Sequence, residues 1–353
     1  MNNGAIWSDN HGVHINAHGG GVLFHEGLYH WFGEHKTEGW EGRLAYHGVH
    51  RYSSADLRRW EDGGIVLAVS DDPVSPIHKG CRIERPKVIF NNATGKFVMW
   101  FHSTNADHTL ARSGVAIADT PAGPYRFLRA WRPDAGRWPV NATAADRDPV
   151  TAAVAAALGE AAFGNGETEL NTRHNILGRD FTGGQMARDM NLFVDDDGQA
   201  YHLHASEHNG TLHIARLTAD YLDHAEYVRA FVNRWMEAPA MFKHEGRYYL
   251  LLSGCSGWAP NAARAAVADH PFGPWRELGN PCRGVNPENG LGPELTFGAQ
   301  STYVLRTHGG GHVAMFDLWQ TKSFIDSRYL WLPVSFTPEG YEIHWTNQAA
   351  VTC

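Results

Sequence analysis

Two stretches far apart in the chain are nearly the same words: AIADTPAGPYRFL at 116–128 and AVADHPFGPWREL at 266–278. An internal repeat constrains a fold more than composition does, because each copy must be one supersecondary unit that buries its apolar face against its neighbours. Each copy follows a hairpin pattern of two apolar runs around a turn, ERPKVIFNNATGKFVMWFHS from Glu84 and EAPAMFKHEGRYYLLLSGCSGW from Glu237. The same layout starts near Gly19, at Asp189 and at Gln300, giving five units of about four strands each. Four-stranded units repeated five times predict an all-β, five-bladed β-propeller, within the usual range of roughly four to eight blades. A β-sandwich with irregular hairpins would leave the near-duplicate closing segments without a cause.

The 353 residues are read as one propeller domain, 1–353, although length alone would admit two domains. Unit spacing is uneven, and the surplus lies in an insertion at about 132–185. Within it DPVTAAVAAALGEAAF (148–163) predicts a short helix, with Asp148 as N-cap and Pro149 at the first helical position. That insertion either covers one rim of the propeller mouth or is a surface excursion. The 13 Trp, 22 His and 38 Gly suit an aromatic-rich, turn-rich β protein. Most of the Trp are expected in strand-packed core, and Trp with His is also a common lining for sugar sites.

A formal net charge of -8 gives no reason to expect nucleic acid or an acidic membrane surface as partner. No apolar run reaches the length of a membrane helix. MNNGAIWSDNHG lacks a basic start followed by an apolar core, so a cytoplasmic location is expected unless a leader has been removed. Cys81, Cys255, Cys282 and Cys353 show no metal-type spacing, and a disulfide framework is not expected.

In a propeller the first strand of each blade lines the central channel, so residues at the unit starts crowd toward one mouth. Those residues are His18, Glu84, Asp189, Glu237 and Gln300. Carboxylates gathered this way raise one another's pKa unless they share protons or bind a cation, and such clusters usually serve chemistry. Glycoside hydrolysis uses carboxyl groups on this scale, one protonated to meet the leaving oxygen. The competing structural reading pairs Glu84 with Arg85 and Asp189 with Arg188. Asp195-Asp196-Asp197-Gly198 is read as a turn rather than a calcium loop. His202 and His204 alternate along one strand, but no third ligand stands near them in sequence, so zinc is not expected.

Seven motifs together resemble glycoside hydrolase family 43, and most of all its exo-β-1,3-galactanase-like branch: INAHGGGVL (15–23), WFGEHK (31–36), ERPKV (84–88), RDMNLFVDDDG (188–198), EAPAMF (237–242), SGCSGWAPN (253–261) and QSTYVL (300–305). The resemblance covers nearly the whole chain. It implies an inverting exo-glycosidase that releases terminal galactose from β-1,3-galactan or galacto-oligosaccharides. Glu237 would be the general acid, Glu84 the second catalytic carboxylate that tunes it, Asp189 the sugar-contacting or pKa-modulating aspartate, and Gln300 the group that positions water. Glu34 and Trp258 would contact sugar, as hydroxyl acceptor and stacking platform, with Arg188, His108 and His18 as further substrate contacts. Typical members place an aspartate base in the first strand of blade one, where this chain has Ala17-His18-Gly19. That departure keeps open a carbohydrate-binding propeller without hydrolysis. Within the family, α-L-arabinofuranosidase, β-xylosidase and galactofuranosidase activities stand beside the galactanase. No cofactor is expected to be required, and the resemblance allows a structural Ca²⁺ or Na⁺ in the central channel.

Overall fold

In the computed structural model, which describes residues 1–164 and 166–351, the alternating apolar runs become five antiparallel sheets, one per repeat. Blade one comprises β1 (His18–His25), β2 (Leu28–Glu34), β3 (Gly48–Ser54) and β4 (Glu61–Ala68). Blade two has β5 (Arg82–Asn91), β6 (Lys96–Thr104), β7 (Arg112–Ala118) and β8 (Arg126–Trp131). Blade three has β9 (Met190–Val194), β10 (Ala200–Ser206), β11 (Thr211–Leu217) and β12 (His224–Ala230). Blade four has β13 (Met236–His244), β14 (Arg247–Gly254), β15 (Arg264–Ala268) and β16 (Arg276–Gly279). Blade five adds β17 (Cys282–Arg283) to β18 (Gln300–Arg306), β19 (His312–Leu318), β20 (Arg328–Thr337) and β21 (Gly340–His344). There β17 pairs in parallel with the outermost strand, β21.

Turn chemistry fixes the hairpins. Glu26-Gly27 and Glu245-Gly246 both have positive φ at each residue, the two-residue turn that matches strand twist. The two near-duplicate segments fold alike, each with a cis Gly-Pro bond, Gly123-Pro124 and Gly273-Pro274, leading into the fourth strand of its blade.

Five apolar clusters each fill the space between two neighbouring blades, and the five interfaces close the ring. The fifth joins blade one to blade five through Trp7, Trp31, Trp60, Tyr329 and Trp331, all fully buried. Their rings meet at 4.7–6.3 Å, mostly edge to face, which suits the aromatic quadrupole. Trp60 thus pins the polar segment before β4 onto the sheet. The N-terminal segment crosses this seam. Asn3 accepts from the Trp331 backbone N–H at 2.8 Å and donates to the carbonyls of Thr346 at 2.9 Å and Gln348 at 3.2 Å.

The surplus between blades two and three contains α1 (Pro149–Leu158), α2 (Glu169–Arg173) and α3 (Ile176–Arg179). Asp148 caps α1 by accepting from Val150 and Thr151 N–H, and Pro149 opens the helix, as its sequence implies. The two short helices after it have no strong sequence signal. The Asp195 turn holds no calcium geometry: the Lys243 ammonium pairs with both Asp195 and Asp196, and Tyr248 donates to Asp195 at 2.5 Å. Cys81, Cys255 and Cys282 are free thiols, and Cys353 lies outside the described residues. Among the described residues no helix is long and apolar enough to cross a membrane.

Asn3→Ala removes the side-chain hydrogen bonds of the terminal segment across the seam, leaving its backbone bonds in place, and leaves the buried Trp331 N–H unpaired. We expect a loss of about 2 kcal/mol in urea unfolding, with an unchanged m-value; an unchanged midpoint would mean the Trp cluster alone closes the ring.

Candidate active site

The ladder of the first strand slips immediately after the residue that heads the blade. This happens between His18 and Gly21 in β1, Glu84 and Lys87 in β5, and Glu237 and Ala240 in β13. In each case the next residue has positive φ: Gly19 at 59°, Arg85 at 55° and Ala238 at 49°. A bulge re-aims a side chain that regular pleating would direct into the blade interface. For Arg85 and Ala238 the left-handed backbone costs about 1 kcal/mol each, which the surrounding sheet must hold in place.

These bulges surround a cavity of about 290 Å³. Glu84, Asp189, Glu237 and Gln300 all line it, as expected for residues at unit starts. Glu34, Trp258, Arg188 and His108 line it as well. Trp258 stands half-buried in the loop after β14, its ring 5.2 Å from Trp319 and 4.8 Å from Phe324. The insertion reaches the mouth too, through Gly166.

His18 does not join them. It is 0 % exposed, bonded to Asp317 at 3.1 Å and stacked 4.8 Å from Tyr329, beneath the cavity rather than on its wall. Its expected sugar contact is therefore corrected. The bulge at Gly19 turns the blade-one chain inward, and Glu34 on β2 supplies that blade's carboxyl group to the cavity instead.

Arg85 organises the floor. Its backbone N–H donates to Glu34 Oε1 at 3.0 Å, and its guanidinium donates to Gln300 Oε1 at 2.7 Å and the Ser301 carbonyl at 2.9 Å. The same group pairs with Asp189 at 2.9 Å. One residue of blade two thus joins blade one through its backbone amide and blades three and five through its side chain. The local ion pairs suggested by sequence neighbours are replaced: Glu84 pairs with Arg82 at 3.0 Å, and Asp189 with Arg85. Below Arg85, Lys87 donates to the Gly19 carbonyl at 2.8 Å, and burial pulls its pKa down to about 7. Two basic side chains, Arg85 and Lys87, occupy this part of the channel.

The carboxyl groups are driven apart in pKa. Burial, reinforced by the negative charge of Asp189, raises Glu237 to about 8, against the opposing pull of Arg85, Cys255 and Arg188. Asn209 donates to Glu237 Oε1 at 2.8 Å, fixing its rotamer. Glu84 is also buried, but His108, a 3.0 Å hydrogen bond from His102 and the charge of Arg82 outweigh burial and hold it well below the usual range. Glu34 is raised by burial despite its pairing with Lys36. Opposite displacement of the two carboxyl groups leaves one able to hold a proton at neutral pH and the other ionised, the pattern that can serve acid–base chemistry.

Gln300 is fully committed at its oxygen, which accepts from Arg85 and, at 3.1 Å, from Trp319 Nε1. Its amide nitrogen donates to Ser253 Oγ at 3.1 Å and keeps one hydrogen free. Glu84, His102 and His108 bring three metal-capable groups within 4.8 Å of one another, but both Glu84 oxygens already accept from Arg82 and His102. Sequence reading missed Arg85, Asn209, Cys255 and Trp319. Arg85 stood in plain view beside Glu84, but its reach across four blades depends on a bulge that no residue pattern announces.

The family model described as Glycosyl hydrolases family 43 matches residues 172–291. Among solved structures, a family 43 β-1,3-galactosidase determined with galactodeoxynojirimycin is 45% identical, with a TM-score of 0.87 over 99% of each chain. An exo-β-1,3-galactanase from Phanerochaete chrysosporium, determined with galactose, is 30% identical with a TM-score of 0.76, over 97% of this chain and 66% of its own. One from Clostridium thermocellum is 32% identical with a TM-score of 0.76, over 97% of this chain and 64% of its own. No curated protein sequence matches the chain significantly.

Arg85→Met leaves Asp189 without its cation and Gln300 without its strongest donor. The expected cost is about 3 kcal/mol in urea unfolding, whereas Arg188→Met, which breaks no ion pair among the described residues, should cost under half of that. Equal losses in the two variants would contradict the role given to Arg85.

Proposed function

The chain belongs to family 43 of the glycosyl hydrolases, and we propose that it removes terminal galactose from β-1,3-linked galactan or galacto-oligosaccharides, with inversion. It is a five-bladed propeller glycoside hydrolase, and carbohydrate is its substrate class. Its similarity to β-1,3-galactosidase and exo-β-1,3-galactanase structures over the whole propeller supports galactose as the released sugar. The observation that carries the mechanism is the opposite displacement of Glu237 and Glu84 within one cavity.

Glu237 holds its proton at neutral pH and donates it to the glycosidic oxygen as the C1–O bond breaks. Its raised pKa makes the proton available where an ordinary carboxyl would have lost it. Glu84 stays ionised and offers negative charge to the oxocarbenium-like transition state. Water attacks C1 from the opposite face. Gln300 positions this water through its free amide hydrogen, since its oxygen lone pairs already serve Arg85 and Trp319. The proton that this water sheds passes to the Glu84 carboxylate, since the Gln300 oxygen already accepts from Arg85 and Trp319 and its nitrogen donates to Ser253. Trp258 offers an aromatic face to the apolar side of the sugar ring, and Glu34 and Asp189 accept from its hydroxyls.

A panel of aryl glycosides and β-1,3-galactobiose tests this reading. Wild type should release galactose, and Glu237→Gln should lose about 10²–10⁴-fold in kcat on galactobiose. Release of arabinose or xylose in preference to galactose would overturn the substrate assignment. Turnover that survives Glu237→Gln would overturn the acid.

The pH dependence follows from the same groups. An acid raised to about 8 must be protonated to act, so kcat/KM should fall as pH rises through about 8. Stability carries the linked sign. Folded Glu237 keeps a proton that the unfolded chain, with a value near 4.5, has lost, so its contribution to stability falls between those pH values. Glu237→Gln should therefore raise Tm relative to wild type more at pH 8.5 than at pH 4.5; a difference independent of pH would contradict the raised value.

A further inference from the structure

Away from the active site, blade three carries four buried histidines on one face. His202 and His204 lie two apart on β10, His213 stands opposite His204 on β11, and His224 opens β12. All four are 0–2 % exposed. The residue opposite His202 is Ala215, whose methyl group leaves the space in which His202 and His224 meet. The third histidine missing from the local sequence is supplied by a strand two ladders away.

One ring nitrogen from each of His202, His204 and His224 lies within 4.8 Å of the other two. His224 Nδ1 is 2.8 Å from Asp134 Oδ2, so its N–H points to the carboxylate and its Nε2 presents a lone pair to the cluster. That is the outer-shell carboxylate that orients metal-bound imidazoles. His202 Nδ1 approaches the same Nε2 at 2.9 Å, and this is the one hydrogen bond the trio makes internally. It leaves His202 Nε2 and both nitrogens of His204 without hydrogen-bond partners among the described residues, though they are buried. Burial also holds His202 and His204 neutral, the form that can bind a metal.

We infer that His202, His204 and His224 form a buried site for a first-row divalent metal ion of the Zn²⁺ class, with Asp134 as the carboxylate that orients His224. Three imidazoles with no thiolate or ligating carboxylate select Zn²⁺ and its neighbours over Ca²⁺ or Mg²⁺. The Trp100 ring of blade two lies 4.7 Å from His202 and 5.6 Å from His224 and walls one side of the site, and three imidazoles leave the fourth position to a water. The ion's work is structural. Asp134 belongs to the segment that follows β8, and Arg137 from the same segment donates to the His224 carbonyl at 2.6 Å. A metal on His224 thus fastens the root of the insertion to blade three, and that insertion walls the active-site mouth through Gly166.

The test uses the full chain, dialysed against chelator and then supplied with Zn²⁺ or Co²⁺. Wild type should bind one ion per chain, show the visible bands of four-coordinate Co²⁺, and gain about 3–5 °C in Tm at a hundredfold excess over Kd. His204→Leu, which removes a side chain that makes no hydrogen bond among the described residues, should fold with near-wild-type kcat yet lose the ion, the Co²⁺ bands and the Tm gain. His108→Ala should keep all three, separating this cluster from Glu84, His102 and His108. A wild-type chain with no bound ion and no Tm response overturns the proposal, as does an ion that His204→Leu retains. Either failure would leave galactose release by Glu237 intact.

Discussion

A single guanidinium holds the mouth of this propeller together. Arg85 leaves blade two on a left-handed backbone and meets Asp189 of blade three and Gln300 and Ser301 of blade five. Its own amide binds Glu34 of blade one. Propeller blades pack through apolar side faces, and those faces fix the blades without orienting the polar residues at their inner ends. Arg85 does that second task, because a planar fork with five donors can satisfy several acceptors at fixed angles, which an ammonium cannot.

The electrostatics of the cavity follow from that arrangement. Asp189 is anchored by Arg85 yet close enough to Glu237 to help burial raise its pKa. Glu84 is surrounded by Arg82, His102 and His108, so the same burial fails to neutralise it. Two glutamates on equivalent first strands, each followed by an equivalent bulge, thereby end in opposite protonation states. The fold repeats and the environments do not, and that difference is what gives the cavity its chemistry.

Much of this was legible in the chain. The near-duplicate segments at 116–128 and 266–278 expose a repeat, and hairpins of regular length convert the repeat into blades. Because first strands of blades converge, Glu84, Asp189, Glu237 and Gln300 could be placed at one mouth without coordinates. His18 failed for the reason that the others succeeded: position in the repeat sets which strand end a residue occupies, but the local bulge sets where its side chain goes. At His18 the backbone turns through Gly19, and the imidazole finds Asp317 below the cavity. Arg85 and the partnership of His224 with His202 were hidden differently, since both depend on contacts between strands that sequence proximity does not encode.

The central claim is that Glu237 is protonated and Glu84 ionised in the same cavity at neutral pH. Carbon-13 NMR of side-chain-labelled glutamate, followed from pH 3 to 10 in wild type and Glu237→Gln, reads this without reference to turnover. The account predicts one glutamate resonance titrating near pH 8 that vanishes in Glu237→Gln, and, beside the similarly depressed Glu207, another that stays ionised down to the acid end of the range and is lost in Glu84→Gln. A wild-type spectrum in which every glutamate titrates between about pH 4 and 5, the ordinary range, would contradict it.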